Sequence, residues 1–278
     1  MARFPISFST LGCPKWPWRK VLDEAARLGY AGIELRGLEG EMDLTKRPEF
    51  SPLHIASTRK DLAALGLVIT DLGASARLHE PDRAVLATQL DEARRFIDLA
   101  HQLGSPWVRV FPDRFVPGEP REATIARVGH NLASLGVFAR GSGVGVLVET
   151  HGEFTDSASL VAMMQAAGAA SNTGILWDTH HTVASGKERP ADTWGQLGRW
   201  VHHTHIKDSV PGPKDRQYVL TGEGAIGSPG VVRALVDGGY KGFYGFEWEK
   251  RWHPEIAEPE VAFPQFAEVM TRLLSEPA

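Results

Sequence analysis

Residues 144–178 read VGVLVETHGEFTDSASLVAMMQAAGAASNTGILWD. The apolar runs at its two ends, 144–149 and 173–178, have the length and composition of buried strands. Between them the pattern predicts a helix over about 156–167. Strand, helix and strand in that order imply two parallel strands joined by a crossover. Each run also closes on a carboxylate, Glu149 and Asp178. A charge placed directly after an apolar strand is costly unless something neutralises it.

The same alternation continues in both directions. Towards the N-terminus, strands are read at 6–10, 31–36, 67–73 and 106–111. Helices are read at 17–28, from an N-cap Ser51 and first helical residue Pro52 to about Gly66, at 82–103 and at 121–140. The 82–103 segment carries Leu86, Leu90, Ala93, Ile97 and Ala100 on one stripe. Its Asp91–Arg95 and Arg94–Asp98 pairs fall at i,i+4 and read as a solvated surface. Towards the C-terminus, helices near 191–199, 229–236 and 259–274 alternate with strands at 200–206 and 242–247, and a long loop follows 206. Eight strand–helix units in 278 residues fit a closed (β/α)8 TIM barrel, one domain over residues 1–278. A doubly wound open sheet shares the local pattern; the count of eight favours closure.

Composition excludes several classes. With 42% apolar and 23% charged residues the chain is globular, and a single Cys13 leaves no internal disulfide framework. Lys and Arg are scattered and the net charge is −4, so no basic face suits nucleic acid. MARFPISFST lacks a signal-peptide pattern, and no run is long enough to span a bilayer. The expectation is a cytoplasmic enzyme with neither a nucleic-acid nor a membrane partner.

Four consecutive strands, the fifth to the eighth, end in cation-binding side chains: Glu149, Asp178, His205 and Glu247. In a barrel the C-terminal strand ends meet at one mouth. Three carboxylates and one imidazole form a mostly oxygen shell, suited to Mn2+ or Mg2+, with Co2+ or Zn2+ tolerated. The competing reading makes each carboxylate a helix cap. In VHHTHIKD (201–208), His203 and His205 share a face, and His205 lies nearer the mouth. His202 is expected to point towards the helices as a packed residue. Lys207 follows His205 and reads either as a group serving the substrate or the ligands or as a solvated loop lysine, while Arg109 and Arg36 end strands, where they meet substrate oxygens or pair with acids. Trp16, Trp18, Trp248 and Trp252 lie just beyond strand ends and suit either a sugar face or loop packing.

Taken together, VETHG (148–152), WDTHH (177–181), HIKD (205–208), GEG (222–224) and GFEWE (245–249) resemble the strand-end motifs of the xylose isomerase-like TIM barrels. Within these the match is to the sugar phosphate isomerase/epimerase group, and STLGCP and AARLGYAGIELRG are similar to its first βαβ unit. The resemblance implies one divalent metal on Glu149, Asp178, His205 and Glu247, with Glu149 and Glu247 as the acid–base pair. It further implies that His181, and His151 with it, contact substrate oxygens. A homo-oligomer is an expectation from the same source.

The chemistry such a site offers is proton abstraction beside the carbonyl of a ketose or polyol ketone, giving an enediolate. Isomerisation or epimerisation follows from where the proton returns. The alternative is dehydration of a cyclic keto-polyol or dehydroshikimate-like acid. A nuclease is disfavoured because the third and fourth strand ends, LGASAR (72–77) and VFPDR (110–114), carry no histidine. A non-catalytic subunit is disfavoured by the intact ligand set. Gly222, Gly224 and Gly227 form a G-x-G-x-x-G, but Ser228-Pro229 starts the helix after the third glycine. No dinucleotide cofactor is therefore expected; the loop instead offers amides to a phosphate or sugar oxygen.

Overall fold

The computed structural model describes residues 4–168, 172–212 and 216–275. In chain order the barrel strands are β1 (Ile6–Ser9), β2 (Gly32–Leu35), β3 (Val68–Arg77), β4 (Trp107–Phe111), β5 (Gly145–Glu149), β6 (Thr173–Asp178), β7 (Val201–Ile206) and β10 (Tyr244–Phe246). An antiparallel hairpin of β8 (Asp208–Pro211) and β9 (Arg216–Val219) stands outside that sheet. The barrel order is β1–β10–β7–β6–β5–β4–β3–β2, and Ser7 of β1 is in register with both Gly245 and Gly32. Closure leaves the barrel without an open edge. The fold is a single (β/α)8 TIM barrel domain.

The helices are α1 (Trp18–Arg27), α2 (Ile55–Ala64), α3 (Arg83–Leu103), α4 (Arg121–Phe138), α5 (Ser157–Ala167), α6 (Thr179–Ala184), α7 (Pro190–Leu197), α8 (Ser228–Asp237) and α9 (Pro259–Ser275). Helix α3 shows how local sequence sets the ends. Asp82 accepts from the amides of Ala84 and Val85, and Gly104 stops the helix at φ 77°. The last helix seals the first strand: Phe263 lies 4.4 Å from Phe8, and Phe266 lies 4.3 Å from Phe246, ring to ring. Among the described residues no helix is long and apolar enough to cross a membrane.

Several local expectations fail, each for an identifiable reason. Helix α2 starts at Ile55, not at Pro52, because the Ser51 hydroxyl donates to Pro48 O instead of capping a helix. Buried Phe50 anchors a 3-10 turn there, Pro48–Phe50, ahead of the helix. On α3 the expected i,i+4 pairs do not form. Arg94 takes Asp91, three residues back, and Arg95 leaves the helix for Asp43 at 2.9 Å. The loop after β7 contains the β8–β9 hairpin, and the short helix α6 follows Asp178.

His202 is packed, but not against the helices. Ile175 pairs with Val201 while Leu176 pairs with His203, so β7 accommodates one extra residue there. The imidazole stacks on Trp107 at 4.5 Å and closes against Gly174. Alternation from Arg109 and Asp178 puts Trp107 and Gly174 on the inner face, so this stack forms the barrel floor.

Candidate active site

Alternation along the strands brings four side chains to one point near the mouth. Glu149 ends β5, Asp178 ends β6, His205 lies one residue before the end of β7, and Glu247 follows β10. All four are buried, and one ligand atom from each lies within 4.8 Å of the others. Asp178 also caps α6, its Oδ1 accepting from the His181 amide at 3.1 Å. Capping therefore accounts for one oxygen of one carboxylate; α5 is capped by Asp156, not by Glu149.

The donor set fits a divalent cation on the evidence of His205. Its Nε2 lies 2.6 Å from Glu34 Oε2, a donor–acceptor contact that puts the ring proton on Nε2. Its Nδ1 is fully buried, makes no hydrogen bond, and lies 3.3, 3.6 and 3.8 Å from oxygens of Glu247, Glu149 and Asp178. A lone pair facing three carboxylates is repulsive unless a proton or a metal ion lies between them. Burial works against charge on His205, but Glu247 and Glu34 outweigh it and hold its pKa well above the usual range.

Three buried cations border this cluster. The Lys207 ammonium contacts Asp178 Oδ2 at 2.7 Å, Glu249 Oε1 at 2.8 Å, and Glu247 Oε2. Arg109 Nε lies 3.0 Å from Glu149 Oε2, and its Nη1 donates to Ala74 O. Arg109 holds one Glu149 oxygen, Oε2, while the other, Oε1, faces His205 Nδ1 at 3.6 Å. Burial would raise both glutamates. His205 and Lys207 nonetheless pull Glu247 well below the ordinary range, and Arg109 and His205 lower Glu149. Arg36, 7% exposed, donates to Gly73 O at 3.3 Å.

Further out, His181 Nε2 stands 3.4 Å from Asp178 Oδ2, and the His151 ring is 5.1 Å from the His181 ring. Burial, with Lys207 adding to it, brings His181 down to about 4, a neutral ring at neutral pH. His180, beside it, donates to or accepts from Ser209 Oγ at 2.8 Å. The tryptophans divide. Trp16, Trp18 and Trp248 are buried in packing, with the Trp248 indole N–H on Ala257 O, and Trp252 is exposed.

Sequence reasoning missed the layer beneath. Glu34 and Asp71, from the middle of β2 and β3, point inward to His203 Nε2 at 3.5 and 3.3 Å. Their signal was a carboxylate inside an apolar strand, in GIEL and VITD. Burial, and then Glu34, push Asp71 up to about 7. Glu249, two residues past Glu247 in GFEWE, also belongs to the site, through its 2.8 Å contact with Lys207. The glycine-rich loop is also corrected. The amides of Gly222, Gly224 and Ile226 and the Ser228 hydroxyl all go to the Asp208 carboxylate, so they are not free for a phosphate or sugar.

A closed barrel with a buried carboxylate–imidazole cluster at its C-terminal rim places a group that could hold a metal ion where TIM barrels carry their active sites. Residues 22–273 match the family model described as xylose isomerase-like TIM barrel, and the chain belongs to that family. No curated protein sequence matches it. Among solved structures it is similar to the probable 3-DHS dehydratase AsbF of Bacillus anthracis, with TM-score 0.77 and 17% identity over 96% of this chain and 99% of that one. It is also similar to D-psicose 3-epimerase of Clostridium cellulolyticum H10, solved with D-tagatose (TM-score 0.76, 16% identity, 99% and 100% coverage). A third is a xylose isomerase-like protein of Mycobacterium smegmatis in complex with magnesium (TM-score 0.72, 18% identity, 98% and 97% coverage). At these identities the neighbours share the fold, and the family model agrees with it.

Proposed function

We propose that this protein is a divalent-metal-dependent isomerase or epimerase that moves a proton beside the carbonyl of a ketose or polyol ketone. The observation that carries the reading is the buried His205 Nδ1, unbonded and facing oxygens of Glu149, Asp178 and Glu247. Those four residues would hold the ion, and Mn2+ or Mg2+ suits their donor set. When bound, it supplies Lewis acidity to a carbonyl and its neighbouring hydroxyl.

The chain's own groups do the rest. Glu149 and Glu247 both rest ionised, so either can remove a proton from the hydroxyl-bearing carbon next to the carbonyl. Strands β6 and β7 separate them in the barrel, which lets them address a substrate from two sides. A proton returned to the neighbouring carbon exchanges aldose and ketose; one delivered to the opposite face inverts the centre. Arg109 fixes the Glu149 carboxylate, and Lys207 holds Asp178, Glu247 and Glu249 together. His181 and His151 line the approach, and His181 offers a neutral nitrogen to substrate hydroxyls.

The test is metal analysis of the purified protein, followed by a ketose panel in deuterated water with Mn2+ or Mg2+. Deuterium at the carbon beside the carbonyl is expected, and its loss when the metal is chelated. A protein that binds neither ion and exchanges no proton on any ketose refutes the proposal. Loss of water from a cyclic keto-polyol, the alternative, starts with the same abstraction and would appear as an unsaturated product.

A further inference from the structure

Arg36 differs from the other buried cations at the rim. Lys207 touches three carboxylates and Arg109 touches Glu149, but Arg36 forms no ion pair with any described residue. Its one hydrogen bond goes to a backbone carbonyl, Gly73 O. None of the other Arg36 nitrogens is a buried unbonded atom, so these donors open towards the mouth, where an anion can reach them.

The surroundings are arranged for a planar anion. Arg36 and Arg109 converge over Gly73: a Cβ there would fall 2.6 Å from Arg36 Cδ and 2.7 Å from Arg109 Nη2. Only glycine leaves room for both side chains. Both guanidinium carbons also lie over the Phe111 ring, at 5.8 and 4.1 Å from its centre. Arg109 Nε is 3.0 Å from Glu149, so the pair sits directly beside one of the two proposed proton-transfer groups. Arg109 already has a carboxylate in contact, whereas Glu149, Glu247 and Glu34 act on Arg36 only from a distance, with no ion pair.

We infer that the substrate of this site carries a carboxylate, bound by Arg36 with Arg109 beside it, so that it is a polyhydroxy keto acid, not a neutral ketose. The planar edge of Arg36, without a carboxylate in contact, matches a carboxylate in two-donor geometry. The inference rests on the proton-transfer reading above and sharpens it.

Calorimetry on the metal-loaded protein tests it with D-fructose, its 6-carboxylate D-fructuronate, D-fructose 6-phosphate and 3-dehydroshikimate. At least one of the two carboxylates is expected to bind about 10- to 100-fold more tightly than D-fructose, the worth of a charge-assisted pair. Arg36→Leu should bring that ratio close to one, and Arg36→Lys should keep part of it. No preference for either carboxylate over D-fructose overturns the inference, as does a stronger preference for the phosphate. A preference that survives Arg36→Leu in a folded variant also overturns it. Deuterium exchange run alongside separates the two readings. Exchange on D-fructose without carboxylate preference removes only this inference, and carboxylate binding without exchange on any compound removes only the proposed reaction.

Discussion

Replacing Glu34 by Ala removes the acceptor that lies 2.6 Å from His205 Nε2. Nothing else described holds that nitrogen, so the ring would lose both its orientation and the preference for a proton on Nε2. Metal binding needs Nδ1 free and aimed at the oxygens of Glu149, Asp178 and Glu247. A hydrogen bond to a charged partner is worth about 1.5–3 kcal/mol, which corresponds to a loss of roughly 10- to 100-fold in metal affinity. Titrating Mn2+ into stripped protein by calorimetry, at fixed pH, measures it directly. Glu34→Gln keeps an oxygen in the same place without the charge and should lie between wild type and Glu34→Ala. That intermediate position separates orientation from general disruption, because a folding defect would not be graded by acceptor strength. If folded Glu34→Ala binds Mn2+ as the wild type does, the argument from His205 is wrong.

Glu149→Gln and Glu247→Gln retain a carbonyl oxygen but cannot carry a proton; each should cut deuterium incorporation by about 10²- to 10⁴-fold, read by mass spectrometry. Incorporation at the wild-type rate in both variants would remove them as the proton-transfer pair. Asp71 gives a pH signature in stability. Its folded pKa is near 7 against an ordinary 3.8, so between those values the native state holds a proton the unfolded chain lacks, and stability falls as pH rises through that window. Asp71→Asn abolishes this cost, so its melting temperature should gain on the wild type between about pH 4 and pH 8; a gap independent of pH contradicts the assignment.

The residues legible in the sequence are those where two periodicities break together. At Glu149, Asp178 and Glu247 an apolar run stops on a charge, and the helix that follows shows that the run was a strand. His205 is readable because alternation pairs it with His203 on one face. Glu34 and Asp71 carry no such break: each sits inside its run, where a single polar residue reads as an interruption of an apolar pattern. Their meaning depends on what lies across the barrel, and His203 and His205 come from a strand more than 130 positions later. The hairpin after β7 and the bulge that turns His202 onto Trp107 are invisible for the same reason. Both are set by partners distant in sequence, not by local propensity.

Register ties these layers to one another. On β2 the inward positions are Glu34 and, just past the strand's end, Arg36, and in β3 they are Asp71 and then Gly73. The lower pair serves the histidines and the upper pair opens the mouth. Sliding either strand by one residue would put Ile33 or Leu72 against His203 and turn the carboxylates towards the helices. The bulge between Ile33 and Glu34 sets this alignment, bringing Glu34 level with Asp71 where straight pairing would give Thr70. Gly73 follows from that register. With Arg36 arriving from one side and Arg109 from the other, any larger residue would push the two guanidiniums apart, so the smallest residue on β3 is what lets two arginines share the rim beside Glu149.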